Sequence, residues 1–427
     1  MKSQFFLAAA AAGWLIAGAV QPALAAAATP ETVGVSSAAL AQLDADMRAL
    51  VESGRRAGIV YGVVRRGQLL VLRAHGLRDR EAQRPMTVDT VFRLYSQSRA
   101  VTSAAILTLV QNRQLRLDDK VAKYLPEIGR MQVVSLLRDG KIVATVPQQP
   151  AMTVRHLLQY SAGLGYAADW PKSVGMNQRE ILDLDGDLAT TVTRLSKFPL
   201  LDQPGSRWRY GFSSDVLGRI AEVVSGKPFN VFLRESLTGP LGMADTDFWV
   251  GPDDTQRLAT VYAPATGGGL RPTAAIASST YDRPSRMFSA GGGLVSTVPD
   301  YLRFGQMLLA RGSLGRVQVL KPATVALMSR NTLTPAMGGE VYWYREDWSA
   351  IFRGYGWGLG IGVRLPERIH TVSGSVGDLG WGGLASTSYF IDPKRQLVAV
   401  VMSQYLGPDG DRPAYVLREG VYRALLD

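Results

Sequence analysis

The sequence predicts an α+β protein, with strands near both chain ends and helices through the middle. Residues 59–64 and 68–73 are two short runs rich in Val, Leu and Ile, joined by an Arg-Arg-Gly turn that is typical of a hairpin. Residues 396–402 form a third strand-like run near the C-terminus. Between them, residues from about 127 to 250 show helix-like spacing that Pro and Gly interrupt. Strands and helices therefore occupy separate stretches of the chain.

The first 25 residues have the composition of a secretory signal peptide. Lys2 supplies a basic start, residues 5–20 form an apolar core, and Ala23-Leu24-Ala25 is a small-residue cleavage site. No Cys follows the cleavage point, which excludes lipid attachment there, and the apolar core is short for a retained anchor. We therefore expect cleavage after Ala25, export to a bacterial periplasm or beyond, no stable membrane insertion and a mature chain of residues 26–427.

Composition narrows the possible functions of the mature chain. Roughly 400 residues with 46% hydrophobic content are enough to bury a sizeable core. The absence of Cys excludes disulfides, thiol catalysis and Cys metal sites. The net charge of +11 comes mostly from Arg scattered along the chain, without a polybasic block. Nucleic acid is therefore not an expected partner, whereas attraction to an anionic envelope or an acidic polymer is compatible with this charge.

The remaining elements are predicted from the same hydrophobic periodicity. Residues 36–53 predict an amphipathic helix with its Leu and Met side chains on one side. Residues 355–363 alternate Gly with larger side chains, which predicts one strand whose bare face packs closely against a neighbour. Further helices are predicted at residues 152–164, 182–197, 215–225, 229–237 and 300–310.

One polar segment runs directly into the most apolar helix of the chain. Residues 100–110 are apolar on almost every side, which predicts a helix buried all round. Ser96 and Arg99 stand one turn apart at its start, so their side chains should be neighbours. Unpaired N–H groups and the positive end of the helix suit a developing oxyanion. The simpler interpretation, which this segment alone favours, is that Ser96 or Ser98 caps the helix.

Several catalytic chemistries are excluded or disfavoured. The chain has three histidines, His75, His156 and His370, and no H-E-x-x-H motif, so a zinc-protease site is absent. The G-x-S-x-G nucleophile elbow is absent as well. His156 is predicted on a packed helix face, which disfavours it as a base. The neighbouring carboxylates of Asp118 and Asp119 are better explained by a solvated loop than by acid–base chemistry.

Three features together point to one family. Ser96 begins a buried helix, Tyr210 lies on a loop after a Pro-Gly turn, and Trp381-Gly382-Gly383 lies in a Gly-rich strand region near the C-terminus. In this order and at these separations, they resemble the serine β-lactamase and penicillin-binding-protein superfamily, most closely class C β-lactamases and family VIII carboxylesterases. The likeness extends over nearly all of the mature chain: Gly58, Pro85-Met86-Thr87, Phe92-Arg93, Thr153-Val154-Arg155-His156-Leu157-Leu158, Ser161-Ala162-Gly163-Leu164, Pro240-Leu241-Gly242-Met243, Gly291-Gly292-Gly293-Leu294 and Trp381-Gly382-Gly383.

The resemblance implies a fold and a set of roles. The fold is β-lactamase/transpeptidase-like: an antiparallel sheet flanked by helices from both chain ends, and a mostly helical lobe at about residues 127–250. Ser96 is the implied nucleophile and Tyr210 the tyrosine of the second motif. Trp381-Gly382-Gly383 stands where lactamases carry K-T-G, as is typical of the esterase-like branch. The N–H groups of Ser96 and Leu384 would form the oxyanion hole.

The same resemblance implies a substrate class and no cofactor. It suggests a small ester, amide or β-lactam substrate for a single hydrolase domain of residues 26–427. No metal or organic cofactor is implied.

Arg99 departs from the family's first motif, S-x-x-K. A buried Lys can lose its proton and act as a base, whereas Arg stays charged. Two interpretations follow. Arg99 is a fixed catalytic cation that favours a Tyr210 phenolate as the base, or the protein is an impaired or inactive binding protein for a peptidoglycan-like or small acyl ligand. A third arrangement pairs Arg99 with a carboxylate and turns it away from Ser96.

Overall fold

The computed structural model describes residues 29–274, 280–339, 341, 351–366, 368 and 370–427. Within these ranges, one eight-stranded antiparallel sheet takes strands from both chain ends, as the resemblance implies. The predicted signal peptide, residues 1–25, falls outside the described residues. In spatial order the strands are β12 (Tyr355–Trp357), β13 (Gly362–Arg364), β14 (Leu379–Gly383), β15 (Thr387–Asp392), β16 (Leu397–Met402), β1 (Gly58–Arg65), β2 (Gln68–Asp79) and β3 (Arg84–Pro85).

Helices cover both faces of this sheet. Every residue of β1 is buried, because consecutive side chains point to opposite faces and each face meets a helix. The Tyr61 hydroxyl donates to Asp44 at 2.8 Å on α1 (Ser37–Glu52), against which α11 (Arg412–Ala424) packs. On the other face, a Cβ on Gly62 would lie 2.7 Å from Leu302 on α9 (Val298–Leu309). The sheet is therefore a central layer between helices.

The helix α2 (Ser98–Gln111) is buried on all sides from Ser98 to Leu109, as the sequence predicts. Thr102 donates its hydroxyl hydrogen to the Ala290 carbonyl at 2.7 Å, and α7 (Ser213–Ser225) packs alongside.

None of the helices in the described ranges combines the length and apolar character needed to cross a membrane. The remaining elements are α3 (Pro126–Gly129), α4 (Val154–Leu158), α5 (Gln178–Ile181), α6 (Leu188–Leu195), α8 (Phe229–Leu233), α10 (Pro322–Met328), β4 (Phe92–Arg93), β5 (Val133–Arg138), β6 (Lys141–Val146), β7 (Tyr262–Pro264), β8 (Leu270–Pro272), β9 (Val295–Ser296), β10 (Ser313–Leu314) and β11 (Val317–Gln318).

The prediction of one strand over residues 355–363 is wrong. The structure has two antiparallel strands there, β12 and β13, joined by a turn in which Gly358 N–H donates to the Ile361 carbonyl at 2.8 Å. Gly360 has φ +83, and a Cβ at that position would lie 1.8 Å from the Ser103 hydroxyl of α2. The glycines therefore permit a turn pressed against α2, in addition to the close packing that was expected.

Several helices of the middle region are shorter than predicted, and one hairpin was missed. The helix expected at residues 152–164 ends as α4 at Leu158, because Tyr160 and Gly163 adopt positive φ angles of 58° and 79°. The helices expected at residues 182–197 and 229–237 are α6 and α8, and α8 continues into a π-helical turn at Arg234–Thr238. The hairpin of β5 and β6 lies in the same region.

Candidate active site

Ser96 lies in a one-turn 3-10 helix, Tyr95–Gln97, that leads directly into α2. Tyr95 has φ +47, a left-handed conformation that residues other than glycine rarely adopt. Such strained backbone is concentrated at functional sites. Ser96 is partly exposed, whereas Tyr95 and Gln97 on either side are buried. The turn therefore exposes Ser96 between two buried neighbours.

The interpretation of Ser96 or Ser98 as a helix cap is wrong. Gln97 occupies the N-cap position of α2, and no side chain caps that end. Ser98 instead accepts a hydrogen bond from the Leu294 N–H at 3.3 Å, which ties α2 to the neighbouring loop. Within the described part of the chain, the Ser96 hydroxyl has no hydrogen-bond partner. Ser96 is therefore free of the structural role that its position suggested.

The end of strand β14 packs against the Ser96 turn. A Cβ on Gly383 would lie 2.1 Å from the Leu94 carbonyl, so only glycine permits this approach. Thr387 donates its hydroxyl hydrogen to the same carbonyl at 3.3 Å. Leu384 follows β14 directly and is partly exposed. Neither the Ser96 nor the Leu384 N–H donates to another group of the described residues, so both remain available as donors.

Arg99 is buried among aromatic rings and is 1% exposed. Its guanidinium carbon lies 4.3 Å from the centroid of the Tyr210 ring, and one Nη donates to the Tyr166 hydroxyl. No carboxylate of the described residues forms a salt bridge with it, so the third arrangement, in which Arg99 pairs with a carboxylate, is not observed there. Burial lowers the pKa of Arg99, but the surrounding tyrosines and Asp215 outweigh burial and raise it. Arg99 is therefore a permanent cation.

Tyr210 connects Arg99 to the Trp-Gly-Gly strand. The Trp381 indole N–H donates to the Tyr210 hydroxyl oxygen at 3.1 Å. The Tyr210 ring stacks on Tyr160, with 5.5 Å between centroids, and lies 5.8 Å from Trp208. The structure thus brings together Arg99, Tyr210 and Trp381, three residues that lie far apart in sequence. Gly382 belongs to the same strand.

Tyr166 was missed by the sequence analysis. It provides the hydroxyl that accepts from Arg99, and burial raises the pKa of that hydroxyl, so it is a neutral phenol. A Cβ on Gly211 would lie 2.3 Å from the Leu164 carbonyl, so the Tyr210 loop can touch the Tyr166 loop only because residue 211 is glycine. The S-A-G-L-G-Y stretch ending at Tyr166 is the sequence signal that was available.

Asp215 is a second missed residue near Arg99. Its carboxylate accepts from the Ser289 hydroxyl at 2.8 Å and from the Gly291 N–H at 3.3 Å. An Arg99 nitrogen and an Asp215 oxygen both border the position that a Cβ on Gly291 would occupy. Burial raises the pKa of Asp215, and the charge of Arg99 offsets part of that rise. Asp215 therefore lies near Arg99 but beyond salt-bridge distance.

The disfavoured candidates have structural roles. His156 Nδ1 accepts from the Thr153 N–H at 3.2 Å at the start of α4, and burial lowers the His156 pKa. Asp118 pairs with Arg155 at 2.9 Å. Asp119 accepts from the Tyr124 hydroxyl at 2.7 Å. These contacts stabilise a loop and a helix end, as expected.

Known proteins match nearly the whole chain in sequence and in fold. The family model described as Beta-lactamase matches residues 43–421. Esterase EstB of Burkholderia gladioli is 31% identical over 419 residues, covering 92% of this chain and 98% of the esterase. Lovastatin esterase of Penicillium rubens is 27% identical over 399 residues, covering 89% and 98%. The solved structure of EstCE1, a hydrolase with promiscuous acyltransferase activity, matches with a TM-score of 0.73 at 26% identity, covering 90% and 99%. The likeness spans the sheet and the helical middle alike.

Proposed function

The chain belongs to the β-lactamase family, and on that premise we propose that it is an exported, esterase-type serine hydrolase that acts through an acyl-enzyme on Ser96. The observation that carries this proposal is the uncommitted, partly exposed Ser96 hydroxyl on a turn against which the end of β14 packs. The named esterases among the relatives support the reaction class.

In the proposed mechanism, Tyr210 is the base and Arg99 is a fixed cation. Negative charge on the Tyr210 oxygen is stabilised by the Arg99 guanidinium at its ring face and by the Trp381 N–H. Tyr210 accepts the proton of Ser96, and the Ser96 oxygen attacks the ester carbonyl. The oxyanion accepts hydrogen bonds from the N–H groups of Ser96 and Leu384. The leaving alkoxide takes the proton back from Tyr210, and water then hydrolyses the acyl-enzyme by the same route.

We expect esters to be better substrates than β-lactams. Trp381 stands where lactamases of the family carry a Lys, so this position lacks the cation that would bind a β-lactam carboxylate. The partly exposed Tyr210 ring, which packs against the buried Trp381, presents aromatic surface instead, and this suits an acyl or alcohol group. The test compares p-nitrophenyl acetate and butyrate with nitrocefin. A nitrocefin kcat/KM clearly above the ester values would overturn this substrate preference.

Covalent labelling with a fluorophosphonate tests the nucleophile. Intact mass should show one adduct, and peptide mapping should place it on Ser96. Ser96→Ala should abolish the adduct, whereas Ser98→Ala, the neighbouring hydroxyl, should keep it. An adduct on Ser98, or unchanged labelling of Ser96→Ala, would end this assignment.

A second candidate function rests on the permanent charge of Arg99. An Arg committed to Tyr166 and Tyr210 cannot supply the proton transfer of the family Lys. In that case the protein is a binding protein that holds a peptidoglycan-like fragment or a small acyl ligand. The absence of turnover above the Ser96→Ala control on several esters would select this function over the hydrolase.

Export is proposed from residues 1–25. The proposal predicts that protein recovered from the native host begins at Ala26. Edman sequencing of that protein tests it, and an N-terminus at Met1 would overturn it.

A further inference from the structure

The hairpin of β5 and β6 is an exposed apolar arm. Residues 135–141 and 143–147 are all exposed. Eight large hydrophobic side chains of the described residues are exposed, and four of them lie in this one hairpin. They are Leu136, Leu137, Val143 and Val146, with exposed fractions of 43%, 51%, 53% and 40%. Exposed apolar side chains scattered singly need no explanation, but such a concentration marks an interaction surface.

The arm is fixed to the body of the protein at both ends. At its base, the Val134 N–H donates to the Leu200 carbonyl at 2.8 Å, and the Gln148 amide donates to the Ile128 carbonyl at 2.8 Å. At its tip, the Ser173 hydroxyl donates to the Gly140 carbonyl at 2.7 Å. The apolar side chains are therefore held outward in a defined position.

The tip of the arm is basic. Arg138 and Lys141 are paired across the turn, and Lys172 precedes the Ser173 that contacts it. All three cations are exposed, and none forms an ion pair with a described residue. Asp139 is the single carboxylate in the turn. Aliphatic side chains thus stand directly beside unpaired positive charge.

We propose that this arm docks the protein on the surface of an anionic lipid bilayer. Its Leu and Val side chains enter the boundary between headgroups and acyl chains, while Arg138, Lys141 and Lys172 contact the anionic headgroups. The net charge of +11 is opposite in sign to that of an anionic bilayer, and this also favours the bilayer as the binding partner of the arm.

Two other occupants fit the arm less well. Protein interfaces rely on Trp, Tyr and Arg anchors, with Leu and Val under-represented, whereas the apolar side chains of this arm are aliphatic. A dimer through the arms would bring two basic tips of the same sign into one interface. The repulsion would oppose that dimer.

Vesicle co-sedimentation of the full chain tests the proposal. The probes are phosphatidylglycerol–phosphatidylcholine vesicles and pure phosphatidylcholine vesicles, at low and high salt. Arg138→Gln/Lys141→Gln removes the charges, and its matched control is Arg55→Gln/Lys394→Gln at two exposed sites elsewhere. Leu136→Ser/Leu137→Ser removes the aliphatic contact, and its matched control is Val376→Ser/Leu426→Ser, whose side chains are also exposed. Thermal unfolding confirms that each variant is folded.

We expect tighter binding to the anionic vesicles, weakening with salt. The charge variant should bind the anionic vesicles about thirtyfold more weakly, because it loses the attraction of two basic residues to the headgroups. The affinity of the aliphatic variant for the anionic vesicles should fall about tenfold or more. Both control variants should bind like the wild type. Equal wild-type affinity for both vesicle types, or wild-type binding by the aliphatic variant, would overturn the proposal. A dimer that only the arm variants lose, without vesicle binding, would overturn it in favour of a second copy.

Discussion

The guanidinium carbon of Arg99 lies 4.3 Å from the centroid of the Tyr210 ring. A desolvated cation over an aromatic face is stabilised by about 2 kcal/mol or more, and Arg99 is almost wholly buried. The same cation stabilises negative charge that develops on the Tyr210 oxygen. In the proposed mechanism, this contact therefore joins the first motif to the second and prepares Tyr210 to accept a proton.

Arg99→Lys should keep or raise ester hydrolysis. The lysine ammonium still provides a cation beside Tyr210, and a buried amine can also lose its proton and act as the base. The measurement is the pH–rate profile of kcat/KM on p-nitrophenyl acetate, whose basic limb should move on substitution.

Arg99→Met is the matched control, because it keeps an unbranched apolar stem and removes the charge. It should lose about 10²–10⁴-fold in kcat/KM, the usual cost of losing acid–base assistance. If Arg99→Lys falls as far as Arg99→Met, the fixed guanidinium geometry is required and the charge alone is not enough.

Tyr166→Phe should destabilise the protein while preserving its fold. The change removes the hydroxyl that accepts from Arg99 and leaves a buried guanidinium N–H without that partner. The free energy of unfolding should fall by about 1–3 kcal/mol, and fluorophosphonate labelling of Ser96 should slow. Urea unfolding and the labelling rate are the two measurements.

Tyr160→Phe provides the comparison for that variant. It removes a neighbouring hydroxyl that bonds to Ser214 at 2.6 Å and makes no hydrogen bond to Arg99. Its labelling rate should stay close to that of the wild type. Equal slowing in both variants would show that general packing, and not the Arg99 contact, controls the site.

Gly383→Ala should impair catalysis more than it impairs stability. The new methyl group would lie 2.1 Å from the Leu94 carbonyl, so the end of β14 must move away from the Ser96 turn. A shift of about 1 Å in a catalytic constellation can cost about 10²-fold in rate.

The neighbouring Gly382→Ala is the control for this steric effect. Its Cβ would have 3.1 Å to the nearest atom, the Thr387 carbonyl oxygen, and therefore requires a smaller adjustment. Labelling rates and thermal unfolding of both variants test the difference. A faster-labelling Gly383→Ala than Gly382→Ala would contradict the predicted placement of Leu384 beside Ser96.

The sequence was sufficient where local pattern decides the structure. The hairpin of β1 and β2 follows from apolar runs around a Gly turn, and the burial of α2 follows from its apolar composition. The roles of Ser96, Tyr210 and Trp381 are predicted from the family resemblance, and the structure brings Tyr210 and Trp381 into contact. The missed features depend on tertiary contact. Tyr166 lies 67 positions from Arg99, so no local periodicity links them. The turn at Gly360 requires glycine because α2 leaves no room for a side chain there.

Asp300→Asn should flatten the pH dependence of stability. The Asp300 carboxylate, in the first turn of α9, accepts from the Asp245 N–H and the Thr246 hydroxyl, each at 2.9 Å. Burial raises the pKa of Asp300 from its usual 3.8 to about 7. Between these values the folded protein holds a proton that the unfolded chain releases, so stability falls as pH rises through this window. The loss is complete above about pH 7 and amounts to at most about 4 kcal/mol.

An Asn at position 300 keeps an oxygen for both hydrogen bonds and carries no charge at any pH. Asp300→Asn should therefore match the wild type near pH 4 and exceed its free energy of unfolding at pH 8. Urea unfolding at pH 4, 6 and 8 provides the measurement. Asp253→Asn, at an exposed carboxylate, should retain the wild-type slope. If Asp300→Asn retains the wild-type slope as well, Asp300 is ionised in the folded protein across this range, and its two hydrogen bonds outweigh its burial.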